Sequence, residues 1–279
     1  MPAQSFALFG LALLAATSEP IRLPVTLVQS NPVTTITVGD RTVQAIVDTG
    51  GGMLMLSREV IDAAGGLKLA DMQVSNDALG NESVHARFRM PAIDIGGRAL
   101  RDTVVIEAPA REAGNGPPVP NSIGRQFLSQ YFVVVDYAGG AITLWQPDPG
   151  NADRAKCGRT RIPMEHTEEE HLAVSVFETR SGRLRLAWDT GATYSMLPAA
   201  MAERLRPATI TRGTTEFYPS SMLAAAGQDF GPLEFVLLPL QPPKDFQGML
   251  GANFFAKHVV CFDYARQEVS VRVVADAVR

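Results

Sequence analysis

Ala45-Ile46-Val47-Asp48-Thr49-Gly50 and Leu186-Ala187-Trp188-Asp189-Thr190-Gly191 are the two stretches whose comparison decides the fold. Each is an apolar run ending in Asp-Thr-Gly. Each follows an Arg-apolar-Pro segment, Arg22-Leu23-Pro24 in one case and Arg161-Ile162-Pro163 in the other. Downstream, Met55-Leu56 matches Met196-Leu197, and a short helix-like stretch follows each pair, Arg58 to Ala64 and Ala199 to Leu205. A second block repeats more closely. Ile123-Gly124-Arg125-Gln126-Phe127-Leu128 and Val133 to Ala138 recur as Leu250-Gly251-Ala252-Asn253-Phe254-Phe255 and Val260 to Ala265. One offset of 127 relates Gly124 to Gly251 and Tyr137 to Tyr264. Register kept over such a block marks an internal duplication.

Working outward, most other segments are short, rich in Val, Ile, Leu and Thr, and closed by Gly or Pro. Val33 to Val38, Thr103 to Glu107 and Ala141 to Trp145 are examples. That pattern predicts strands joined by turns, with helix in the minority. Gly96-Gly97 and Gly139-Gly140 have the chemistry of hairpin turns. Asp136 and Asp263, before the repeated Tyr, read as turn formers at hairpins. Pro147, Pro149, Gly150, Asn151 and Asp153 make residues 146–160 a linker. The expected division is 1–18 as a signal peptide, 19–145 as a first lobe, 146–160 as a linker and 161–279 as a second lobe.

With 279 residues the chain can build two small lobes, and an apolar fraction of 46% is ordinary for a globular core. A net charge of −4 gives no field that would hold nucleic acid or an anionic membrane. Near the start, Phe6 to Ala16 is too short to span a bilayer but suits the core of an export signal, with Ala16-Thr17-Ser18 as small residues for cleavage. No Lys or Arg precedes the run, so an apolar segment packed on the protein body is the alternative. The expectation is export to the periplasm or the medium, with no membrane insertion of the mature chain. Cys157 and Cys261 would pair in an oxidising compartment, but two unrelated thiols, one buried and one half-exposed, is the preferred reading.

A lone Asp-Thr-Gly is weak and arises by chance in about a few per cent of chains this long. Two copies at equivalent places in a duplicated unit, each followed later by an apolar-Gly element (Ile123-Gly124 within Ser122-Ile123-Gly124, and Leu250-Gly251 within Met249-Leu250-Gly251), carry more. On these residues the chain resembles the aspartic peptidases, in the pepsin-like two-lobed form assembled from retroviral-protease-like halves, and bacterial predicted aspartyl proteases among them. The resemblance runs from about Arg22 to Val273. It implies a mainly β, two-lobed acid-protease fold of duplicated β-barrel lobes, and an endopeptidase in which Asp48 and Asp189 activate a water. Peptide or protein would be the substrate, the chain would act as a monomer, and neither metal nor other cofactor is required. Two carboxyls about 3 Å apart cannot both ionise, so the pair keeps a proton while one member acts as base. Thr49 and Thr190 would lock the loops together, and Gly50 and Gly191 would give tight turns with N–H groups facing the carboxylates. Gly124 and Gly251 would let a following helix pack closely beneath.

Gly51-Gly52 departs from the family pattern, in which a small residue followed by Ser or Thr is common; Ala192-Thr193 fits better. The loosened first loop leaves a peptide-binding homologue without cleavage as the alternative function. The flap expected between Asn76 and Met90 has no Tyr. In the second lobe Tyr218 is a candidate cleft-lining residue, although an ordinary packed or exposed aromatic is the preferred reading. The Pro- and Gly-rich loop from Pro109 to Asn121 would border the cleft or lie on the surface. His166 to His171 lacks metal-site spacing and reads as a solvated hairpin tip.

Overall fold

The computed structural model describes residues 19–76, 81–109, 119–166, 172–201, 204, 209–241 and 246–274. The expected signal segment, the tip of the expected flap (77–80), most of the 109–121 loop, the 167–171 tip and much of the stretch after Met201 lie outside them. Among the described residues the chain is mainly strand, with short α-helices at Arg58–Ala63, Arg125–Leu128, Asn151–Arg154 and Ala252–Phe255.

Each half builds one large sheet around an apolar strand that runs straight into its Asp-Thr-Gly. In the first, Arg41–Val47 pairs in parallel with Asn121–Ile123, and Ala45, Ile46 and Val47 are all buried. In the second, Gly182–Trp188 pairs in parallel with Gly248–Leu250, and Leu186, Ala187 and Trp188 are all buried. Parallel strands covered on both faces need such unbroken apolar runs, so the runs quoted above are a direct cause of this architecture. The flanking connections repeat too. Met55 lies opposite Ser122 and Met196 opposite Met249, so the duplicated Met-Leu segments close equivalent corners. Trp188, fully buried, meets Phe177, Phe254 and Phe262 edge-on at 5.3, 5.7 and 5.9 Å, and its indole N–H donates to Ser175 Oγ at 3.0 Å.

A third sheet belongs to both halves. Its strand order is Ile21–Pro24, Ala141–Trp145, Phe132–Asp136, His258–Asp263, Glu268–Val273 and Ile162–Pro163. The central pair is antiparallel, with Val133 opposite Phe262, Val134 opposite Cys261 and Val135 opposite Val260. Under the 127-residue offset the equivalent of Val134 is Cys261 itself. The approximate twofold axis therefore passes through that residue pair, and the duplicated halves face each other across it.

Cys157 and Cys261 form a disulfide, which corrects the expectation of two unrelated thiols. The residues expected as linker hold the helix Asn151–Arg154, and its C-terminal turn brings Cys157 to a Cα–Cα distance of 5.9 Å from Cys261, within disulfide range. Both sulfurs are buried with Phe132, Val134 and Val259. The turn expectations hold. Gly96 and Gly97 take positive φ between paired Ile95 and Arg98. Asp136 accepts the Gly139 N–H at 2.7 Å, and Asp263 accepts the Arg266 N–H at 3.1 Å.

Candidate active site

The two Asp-Thr-Gly loops meet where the halves face each other. The Asp48 N–H donates to Ile123 O and the Asp189 N–H to Leu250 O, both at 3.0 Å, so each Asp prolongs its parallel ladder by one residue. Beyond it the threonines cross over. The Thr49 N–H donates to Thr190 Oγ1 at 2.9 Å, and the Thr190 N–H to Thr49 Oγ1 at 3.0 Å. Each hydroxyl then donates onward across the divide, Thr49 to Trp188 O at 3.0 Å and Thr190 to Val47 O at 2.7 Å. Both threonines are fully buried, so water cannot compete for these four bonds.

The interlock fixes where the carboxyls lie. The N–H groups of Gly50 and Gly51 donate to Asp48 Oδ1 at 2.9 and 2.8 Å, and those of Gly191 and Ala192 donate to Asp189 Oδ1 at 2.8 and 3.0 Å. Each glycine also abuts the opposite carboxyl. A Cβ on Gly50 would fall 2.7 Å from Asp189 Oδ2, and one on Gly191 would fall 2.6 Å from Asp48 Oδ1. No side chain fits there, which is the physical reason for glycine at both places. The two carboxyls are within hydrogen-bonding reach of each other. Burial pushes the Asp48 carboxyl up, opposed by the Gly51 and Gly50 N–H groups. Burial, and then the Asp48 charge, push Asp189 well above the usual carboxylate range.

Gly124 and Gly251 lie directly under the loops. A Cβ on Gly124 would press on Met53 O and lie 2.7 Å from Gly51 O; one on Gly251 would press on Tyr194 and lie 2.8 Å from Ala192 O. The close approach lets helix N–H groups reach loop carbonyls: Arg125 to Gly51 at 2.7 Å, Gln126 to Gly52 at 2.9 Å and Ala252 to Ala192 at 2.9 Å. Gly51-Gly52 is thus held from below. The Thr193 hydroxyl, absent from the first loop, accepts from Asn31 Nδ2 at 3.4 Å.

Several supporting residues escaped the sequence reading. Asn121 accepts the Ser57 N–H at 2.8 Å, Asn253 accepts the Ser195 N–H at 2.7 Å, and Ser195 Oγ accepts the Gly251 N–H at 2.9 Å. Tyr137 donates to Thr190 O at 3.2 Å; its recurrence as Tyr264 was the one available signal. The flap region is a long hairpin, Leu67–Asn76 against Glu82–Ile95. On it His85 bonds to Ser75 Oγ at 2.8 Å and to Glu107 O at 3.0 Å, tying three neighbouring strands. Tyr218 is a correction. It is 2% exposed, stacks on Phe235 at 6.2 Å and donates to Ser181 Oγ at 3.1 Å. Strand alternation along Thr215–Ser220 turns it into the second lobe's core rather than toward a ligand.

The model of the aspartyl protease family matches residues 34–127, which include the first Asp-Thr-Gly and the first apolar-Gly element. The crystal structure of an aspartic proteinase from Irpex lacteus superposes with a TM-score of 0.65 over 93% of this chain and 99% of that one, at 11% sequence identity. No curated protein matches the sequence. The fold is that of the two-lobed aspartic proteinases.

Proposed function

We propose that this chain is an aspartic endopeptidase in which Asp48 and Asp189 share one catalytic water. The reading rests above all on the reciprocal threonine interlock, which holds two half-buried carboxyls within mutual reach at equivalent points of a duplicated fold. The ionised member takes a proton from water as the oxygen attacks the peptide carbon. The protonated member gives its proton to the carbonyl oxygen, producing a neutral tetrahedral diol. Collapse returns a proton to the leaving nitrogen and regenerates the singly protonated pair. The N–H groups of Gly50, Gly51, Gly191 and Ala192 stabilise whichever carboxylate carries the charge. The substrate is an extended peptide, acted on by the monomer. The Cys157–Cys261 disulfide supports an exported, oxidising location, periplasmic or extracellular.

The test is cleavage of a denatured protein mixture at acidic pH, with and without a pepstatin-type inhibitor, by wild type, Asp48→Asn and Asp189→Asn. Inhibitable cleavage lost in both variants is expected. Wild-type rates in either variant would refute the shared-water chemistry. Binding of peptides by a wild type that cuts none would favour the non-cleaving homologue instead.

A further inference from the structure

The duplication predicts that the two catalytic loops rest on the same support, and they do not. Tyr137 and Tyr264 are equivalent under the 127-residue offset and both are buried. The Tyr137 ring lies 5.7 Å from that of Phe255, and its hydroxyl donates to Thr190 O at 3.2 Å. The Tyr264 ring stacks on Phe262 at 5.7 Å and on His166 at 6.3 Å, and its buried hydroxyl has no hydrogen-bond partner.

The Thr190 carbonyl is one end of the Thr190–Gly191 peptide group. The other end of that group, the Gly191 N–H, donates to Asp189 Oδ1 at 2.8 Å. Phenol, peptide and carboxylate therefore form an uninterrupted chain of hydrogen bonds. A donor on a peptide oxygen polarises the group and strengthens its N–H as a donor. In the first loop the Gly50 N–H holds Asp48 Oδ1 at 2.9 Å, and among the described residues no phenol donates behind its peptide, the Tyr264 hydroxyl being without a partner.

We propose that Tyr137 is a positioning residue that acts on Asp189 through the Thr190–Gly191 peptide, and that this one-sided support makes the two catalytic carboxyls chemically unequal. The inference rests on the aspartic-peptidase reading for its kinetic consequence only. Among the described residues, the titratable groups that sense the pair are Tyr137, facing both carboxyls, Tyr264, facing Asp48, and Arg125 beside Tyr264. Removing the Tyr137 hydroxyl weakens the Gly191 donor, destabilises an ionised Asp189 and tightens the hold of Asp189 on its proton. The alkaline limb of the pH profile then moves to higher pH. Removing the Tyr264 hydroxyl takes away no such bond and leaves that limb in place.

Three variants test this: Tyr137→Phe, Tyr264→Phe and Tyr137→3-fluorotyrosine, whose more acidic phenol is a stronger donor. Carboxyl-carbon NMR titration of the aspartates reads the pair directly and needs no turnover; urea unfolding checks the fold of each variant. In Tyr137→Phe the higher pair titration should rise by about half a pH unit, with kcat down about three- to tenfold and KM within about twofold. Tyr137→3-fluorotyrosine should move the titration the opposite way, and Tyr264→Phe should match wild type. Equal titrations in all three, or equal shifts in the two Phe variants, would overturn the inference. A protein that cleaves nothing but shows the predicted titration shifts would overturn the peptidase reading and leave the role of Tyr137 standing.

Discussion

Thr190→Val is the sharpest probe of the loop interlock. Valine has nearly the shape of threonine, so packing around this fully buried site is kept and only hydrogen bonding is lost. Two bonds go: the one from the Thr49 N–H at 2.9 Å and the one to Val47 O at 2.7 Å. Each is worth about 1 kcal/mol net, and the Thr49 N–H is left buried without that acceptor, a penalty of about 1–3 kcal/mol. The expected loss of stability is about 3–5 kcal/mol, read from urea unfolding with the disulfide intact. Because both bonds cross between lobes, kcat/KM should fall more than about tenfold as the carboxyls lose their fixed separation. Thr190→Ser keeps both bonds and loses one methyl, so it should cost only about 1 kcal/mol and retain activity. A Thr190→Val protein that unfolds within about 0.5 kcal/mol of wild type would refute the reasoning, since the two crossed bonds it loses would then hold nothing together.

In the folded chain Asp189 binds its proton more tightly than an ordinary carboxyl, so the folded state carries more protons than the unfolded one between the usual carboxylate range and the raised value. Stability from this group is therefore present at acidic pH and lost as pH rises through that window; Asp189→Asn should unfold at higher temperature than wild type at neutral pH, with the gap closing in acid, as scanning calorimetry would show. Gly124→Ala drives a methyl into two backbone carbonyls and should cost more than about 2 kcal/mol, whereas Gly52→Ala meets nothing within 4 Å and should cost little by denaturant unfolding. The disulfide links residues 104 apart in sequence; its reduction should lower unfolding stability by about 2–4 kcal/mol, and an unchanged urea midpoint would contradict a constraint on the unfolded chain.

The fold was legible because duplication leaves its mark in the sequence itself. Val47 and Trp188 end buried strands, and the residues after them had to be the loop tips whatever the packing around them. The Thr49–Thr190 contact followed from the family resemblance, since 141 residues separate the partners and no local pattern encodes it. Cys157 was not legible for a related reason: its partner depends on where a four-residue helix ends relative to a strand in the opposite half. The side on which Tyr218 lies was not decided by sequence, because a strand reverses its inward face with each residue and position within a repeat does not fix that parity. Asn121, Asn253 and Ser195 act through single bonds to backbone N–H groups, a role that any of several polar residues at many positions would fit equally well in sequence.

The sheet built from both halves has a mechanical consequence. Swinging one lobe away from the other about residues 146–160 would tear the backbone ladder between Phe132–Val135 and Val260–Asp263. The chassis of the molecule is accordingly stiff along its base. The strand Leu67–Asn76 has no such anchorage: it lies at the edge of the first half's sheet and is bonded along one flank only, to Glu82–Ile95.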